Sequence, residues 1–286
     1  MNDFSRSSDA PDMDDMDRVE AQVKDEDARR SPQIGDVLFM TARSVANPGF
    51  AGGVRYDGET GSESFLGEAF DGEDVPGGFG GTSISEEAAE SYGEVFGAEP
   101  GYLAAPGIPT ADSILVLTVE PEGTILGVRL GVMSTNPVAN HLPEMAPKLT
   151  KPQVFFIGGE NQPVVLGVGF IEDPMDAERA AQQGAALFGK NRQFLYVQTG
   201  DSAPSFDEQV AAAGGKLKGL RLFHSYVSAP VAHVEEWMDA GLVDREAATF
   251  EDVFTEKPGE TWRRIMARRP FPENLFATWA QHPERN

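Results

Sequence analysis

Cysteine is absent from all 286 residues, which removes disulfides, thiolate nucleophiles and thiolate metal ligands from consideration. No run of 18 apolar residues occurs, so no segment of the sequence is long and apolar enough to cross a membrane as a helix. Bases are scarce: 23 lysines and arginines stand against 46 aspartates and glutamates, a formal net charge of −23. Affinity for nucleic-acid phosphates comes largely from lysine and arginine releasing counterions, so this balance argues against direct nucleic-acid binding. Catalytic signatures are missing too. There is no His-Glu-x-x-His, no Gly-x-Ser-x-Gly and no Gly-x-x-x-x-Gly-Lys-Ser/Thr. His224 and His233, with Glu235, offer two imidazoles and a carboxylate near one loop and read either as metal ligands or, the reading preferred, as loop or surface histidines; His141 and His282 have no ligand-like spacing. Neither metal nor cofactor is expected.

The acidity is unevenly spread. Residues 1–30 hold ten acids against five bases, and residues 51–100 hold twelve acids against one. The first stretch is poor in apolar residues and cannot bury enough surface to offset its ordering entropy, so residues 1–32 are expected to form a disordered acidic tail. It has neither the basic start nor the apolar stretch of a signal peptide, and a cytoplasmic protein is expected. The second stretch carries twelve glycines, and its hydrophobes lack a sustained period. It is read as an insertion over about 51–110 within one domain spanning 33–286. Inside it, Ser85 as N-cap, Glu86 and Glu87 in a first turn, and Ala88, Ala89, Tyr92, Val95 and Phe96 on one face predict a short helix.

From Asp112 onward the pattern is clear. Ile114 to Val119 and Ile125 to Val132 are apolar runs around Pro121-Glu122-Gly123, which predicts a hairpin. Further strands are expected at 154–157, 164–171, 194–198 and 220–226. Helices are expected from Asp176 to Phe188, with Gly189-Lys190 as C-cap, and over 205–213, 231–240 and 260–269. Strands mixed with helices without strict alternation indicate α+β.

One ordered string of marks remains. Gly123-Thr124-Ile125-Leu126-Gly127 and Gln153-Val154-Phe155-Phe156-Ile157-Gly158-Gly159 precede Arg221-Leu222-Phe223, Tyr226, Glu235, Asp252-Val253-Phe254, Thr261-Trp262-Arg263-Arg264 and Ala277-Thr278. In order and spacing this resembles the YqgE/AlgH family over about 33–50 and 111–286. The resemblance implies a bifurcated, mostly antiparallel sheet curled into a pseudo-barrel with helices packed outside. The chain departs from the family pattern at one loop, where a Phe-x-Gly-Tyr-x-Gly-Trp run reads Phe223-His224-Ser225-Tyr226-Val227-Ser228-Ala229. Losing glycines implies a changed loop path or a lost ligand contact.

Candidate binding residues are therefore Gly158 and Gly159, the retained Tyr226 and Glu235, and the basic pair Arg263 and Arg264. Tyr226 and Glu235 read either as a hydrogen-bonding pair beside the glycines, or as a strand-end aromatic and a first-turn helix carboxylate. Arg263, Arg264, Arg268 and Arg269 read as a solvated face, a grip on an acidic segment of the same chain, or an anion site. The family resemblance implies a non-catalytic regulatory or adaptor role through protein contacts. The alternative is a small-molecule binder or hydrolase using a cleft near Gly158, Gly159 and Tyr226.

Overall fold

The computed structural model describes residues 31–41, 85–96, 113–199 and 203–278. The acidic tail and most of the 51–110 segment lie outside these residues. In chain order the described strands are β1 (Asp36–Met40), β2 (Ser113–Val119), β3 (Thr124–Arg129), β4 (Met133–Pro137), β5 (Val154–Ile157), β6 (Val165–Glu172), β7 (Ala186–Phe188), β8 (Phe194–Val197), β9 (Lys216–His224), β10 (Val227–Pro230) and β11 (Val243–Ala247). The helices are α1 (Glu86–Phe96), α2 (Ala177–Gln182), α3 (Phe206–Ala213), α4 (Val231–Asp239), α5 (Phe250–Phe254) and α6 (Thr261–Arg268). The class is α+β.

Two sheets form, in the orders β10-β3-β2-β1-β11 and β4-β5-β9-β6-β8-β7. All strand pairs are antiparallel except β5 with β9. The first sheet is buried on both faces, which is why β1 and β2 are continuous apolar runs and not alternating ones. Leu38, Met40, Ile114, Val116 and Ile125 pack beneath α1 and α4, against Val95, Val234 and Trp237. Val37, Phe39, Leu115 and Val128 face the other way, onto Phe156, Val168 and Phe223 of the second sheet and onto Phe254, Trp262 and Ile265 of α5 and α6. The far face of the second sheet, with Ile171, Leu195 and Leu222, is covered by α2, α3 and the 138–149 segment. Neither sheet closes into a barrel among the described residues. A short seam joins them: Arg129 N donates to Gly158 O and Ile157 N to Val132 O, each at 2.9 Å.

Local signals explain most elements. Ser205 forms a capping box with Glu208 at the start of α3, and Thr249 forms one with Asp252 at the start of α5. Gly123, at φ +81°, makes the turn between β2 and β3. The expected helix over 176–188 is corrected. Asp176 does cap it, accepting from Glu178 N and Arg179 N, but α2 stops at Gln182 because Gly184 adopts φ +89°. Ala186 to Phe188 then pair with β8, and Gly189, at φ +82°, turns a hairpin instead of ending a helix. Within the inserted segment the predicted helix is present as α1, with Ser85 Oγ accepting from Ala88 N at 3.2 Å.

Candidate functional site

Gly158 and Gly159 follow β5, where the chain leaving β9 passes against them. Gly158 N donates to His224 O at 2.9 Å, and Asn161 N to Tyr226 O at 3.2 Å. A Cβ on Gly158 would fall 2.4 Å from Ser225 O, and one on Gly159 would fall 2.1 Å from both C and O of Tyr226. The glycine pair and Tyr226 are thus brought together, as the sequence suggested, but through main chain and with no space between them.

The loop that departs from the family pattern keeps a tight path. Ser225 is buried and holds φ +65°, a left-handed conformation that favours glycine. Its Oγ donates to Asn161 O at 2.9 Å, and Asn161 Nδ2 donates to Ser228 Oγ at 3.2 Å. The serines and Asn161 form one hydrogen-bonded cluster where the family pattern has glycines. Beside it lies a cleft of about 250 Å³ lined by Glu94, Val95, Glu160, Asn161, Val227 and Ser228.

Tyr226 is half-buried and packs on the inter-sheet core. Glu235 is half-buried in the second turn of α4, because that helix opens at Val231; the first-turn reading is corrected. His224 is exposed and His233 half-buried, and among the described residues no group of three or more histidines and acids is placed to hold a metal.

The four arginines of the α6 region divide into two pairs. Arg263 is exposed and Arg264 half-buried. Arg268 grips the buried Asp252 with both terminal nitrogens, at 2.7 and 3.0 Å, and also reaches Glu246 at 3.1 Å. Arg269 bonds Glu273 at 2.7 Å and Glu246 at 3.3 Å, and pairs with Asp244. Burial by itself would lower these guanidinium pKa values. Their carboxylate partners more than offset that, and both are held above the ordinary arginine value. Arg268 and Arg269 therefore tie α6 to β11 and α5, so the reading of all four as one solvated face is corrected for these two. Asp252→Asn is expected to cost about 2–3 kcal/mol in urea unfolding, since Asp252 also accepts from Thr249 N and Oγ. Arg263→Gln should change stability by less than about 0.5 kcal/mol.

Two arginines outside the candidate set carry more buried chemistry. Arg129 donates from Nε to Val95 O at 3.0 Å and from Nη2 to Glu94 O at 2.7 Å, at the C-terminal end of α1. Arg221, in the middle of β9, is 1% exposed. Its Nη2 donates to Thr255 O at 2.7 Å at the end of α5, while among the described residues Nε and Nη1 have no hydrogen-bond partner. Its guanidinium carbon sits 4.0 Å from the centroid of the Phe156 ring. Desolvation pushes its pKa down to about 9. The sequence marked Arg221 only as part of an apolar strand motif; a charge at an inward position of a buried strand is the signal that identifies it.

The geometry defines an α+β protein of two seamed sheets with glycines at the crossing. A UPF0301 protein of Corynebacterium glutamicum is 30% identical to this chain over 193 residues, which cover 65% of this chain and 96% of that protein. A crystal structure of a protein from Corynebacterium diphtheriae is similar at 28% identity with a TM-score of 0.48, covering 62% of this chain and 88% of that one. The solution structure of the AlgH protein from Pseudomonas aeruginosa, also UPF0301, is similar at 16% identity with a TM-score of 0.40, covering 62% of this chain and 88% of that one. No family model matches the chain. The chain belongs to the UPF0301, or YqgE/AlgH, family.

Proposed function

We propose that this bacterial protein is a non-catalytic regulatory or adaptor protein of the cytoplasm, working through protein contacts and without direct nucleic-acid or membrane binding. The observation that supports this reading is the filled crossing at Gly158 and Gly159. Where a ligand would need room beside the glycines, the main chain of Ser225 to Val227 occupies it. The neighbouring cleft presents carboxylates from Glu94 and Glu160 and a serine already bonded to Asn161, a lining without a paired nucleophile and base. An apolar surface stands elsewhere: Phe271 and Leu275 are 78% and 57% exposed, on a segment whose Phe276 and Ala277 pack inward.

The test places a photo-crosslinking residue at Phe271 in the full chain, expressed in bacterial cytosol. One or a few defined protein adducts are expected, lost when Leu275→Ser is added. The small-molecule reading would displace this one if no adduct formed while a metabolite raised the thermal midpoint by several degrees, and if Ser228→Tyr, which fills the cleft, abolished that rise.

A further inference from the structure

Helix α1 is gripped at three points by residues of the first sheet and α4, each time through its main chain or its N-cap. At its start, Glu236 of α4 accepts from Ser85 N at 3.0 Å and from Ser85 Oγ at 2.8 Å. One turn in, Trp237 Nε1 donates to Ala88 O at 2.6 Å. At its end, the Arg129 guanidinium takes the carbonyls of Glu94 and Val95. A carboxylate thus faces the positive end of the helix dipole and a guanidinium the negative end. The grip spans the 11 residues of α1, a length of about 16 Å. Of the α1 side chains described, Ala88, Ser91 and Val95 are buried, whereas Glu87, Glu90 and Glu94 face solvent. The grip therefore reads a helix's length, polarity, N-cap and small inner face, and leaves its outer face unread.

We propose that Glu236, Trp237 and Arg129 form a helix clamp, filled in cis by α1, which accepts in trans a partner helix of the same kind. That helix has about three turns, opens on serine or threonine, and turns alanine-sized residues toward Trp237. The inference stands apart from the Phe271 surface, since it concerns the opposite face of the first sheet. The reason for exchange is that α1 belongs to the same chain as its clamp: its docking is intramolecular, and such linkage presents a segment at an effective concentration of order millimolar. α1 thereby sets a threshold: a partner helix binds only when its affinity overcomes that local concentration.

The test uses the full chain with Ala88→Glu, because Ala88 has no exposure and a glutamate there unseats α1. The probe is a fluorescein-labelled peptide of residues 84–97. It should bind the Ala88→Glu chain at least tenfold more tightly than the wild-type chain. Adding Arg129→Gln should abolish that gain, while a peptide with Glu87, Glu90 and Glu94 changed to glutamine should bind within about threefold of the original. Equal binding to both chains, or none to either, overturns the clamp. Hydrogen exchange on the wild-type chain gives an independent reading that requires no variant. Amides of α1 should exchange through an opening that leaves β2 and β3 protected. If α1 exchanges only together with those strands, it is a fixed part of the core and the proposal fails.

Discussion

Gly159→Ala is expected to lower the unfolding free energy by about 3 kcal/mol or more, among the larger effects available from adding one methyl group. The reason is the nature of what the methyl meets. Its nearest neighbours, at 2.1 to 2.5 Å, are C and O of Tyr226 and N of Val227, all main-chain atoms of a crossing strand. A flexible side chain would swing aside; these atoms are held by Asn161 N on Tyr226 O and by the pairing of Val227 with Gly127 on β3. Relief therefore requires the two sheets to separate at their seam. Gly259→Ala is the control, since a Cβ there meets nothing within 4 Å, and its change should stay within about 0.5 kcal/mol. Urea unfolding of the two variants measures the contrast. Similar stabilities would mean that the crossing is looser than its geometry.

Arg221→Met is expected to act in the opposite direction and raise the unfolding free energy by about 1–2 kcal/mol. A buried guanidinium with two unpartnered nitrogens carries a desolvation penalty that the Thr255 carbonyl and the Phe156 ring offset only in part. Methionine fills similar volume without charge. Arg221→Ala should instead destabilise, because it trades the penalty for a cavity. The pH dependence follows from the depressed pKa. For a base whose folded-state value lies below its unfolded value, the penalty is present in full below the folded value, about 9, and is relieved as pH rises above it. The gain from Arg221→Met should thus be constant between pH 6 and 8 and shrink toward pH 10. A loss of stability at neutral pH would show that Arg221 has a counter-charge in solution.

These two residues also mark what the sequence could and could not convey. Apolar runs and caps located β2, β3, β5, β6, β8 and β9, because burial on both faces leaves an unbroken hydrophobic signature. They did not locate β4 or β11, whose Met-Ser-Thr-Asn-Pro and Val-Asp-Arg-Glu-Ala sequences are polar edge strands. β11 is held by ion pairs to residues from 22 to 209 positions away in sequence, Arg268 and Arg269 on one side and Asp36 on the other, and periodicity carries no trace of those. The alanine-rich stretch after Asp176 satisfied a helical period beyond its true end, and only the backbone conformation of Gly184 decided the break. The nearness of Gly158, Gly159 and Tyr226 was legible from motif order. That their contact is main chain on main chain was not, since it depends on the path of the chain from β9 into β10 past the end of β5. The isolation of Arg221 was equally hidden, because an absent counter-ion leaves no mark on the chain.

The long segment between β1 and β2 enters and leaves the body at adjacent points: Phe39 pairs directly with Ser113. In topological terms it is the loop of a single hairpin, drawn out to roughly seventy residues. Closing a flexible loop costs only about 0.6 kcal/mol more for each doubling of its length. By that scaling, even doubling the length of this connection would cost the β1–β2 pair only about 0.6 kcal/mol. The connection is thus a permissive port, where a peptide or a small domain with neighbouring termini can be spliced in while β1 and β2 stay in register.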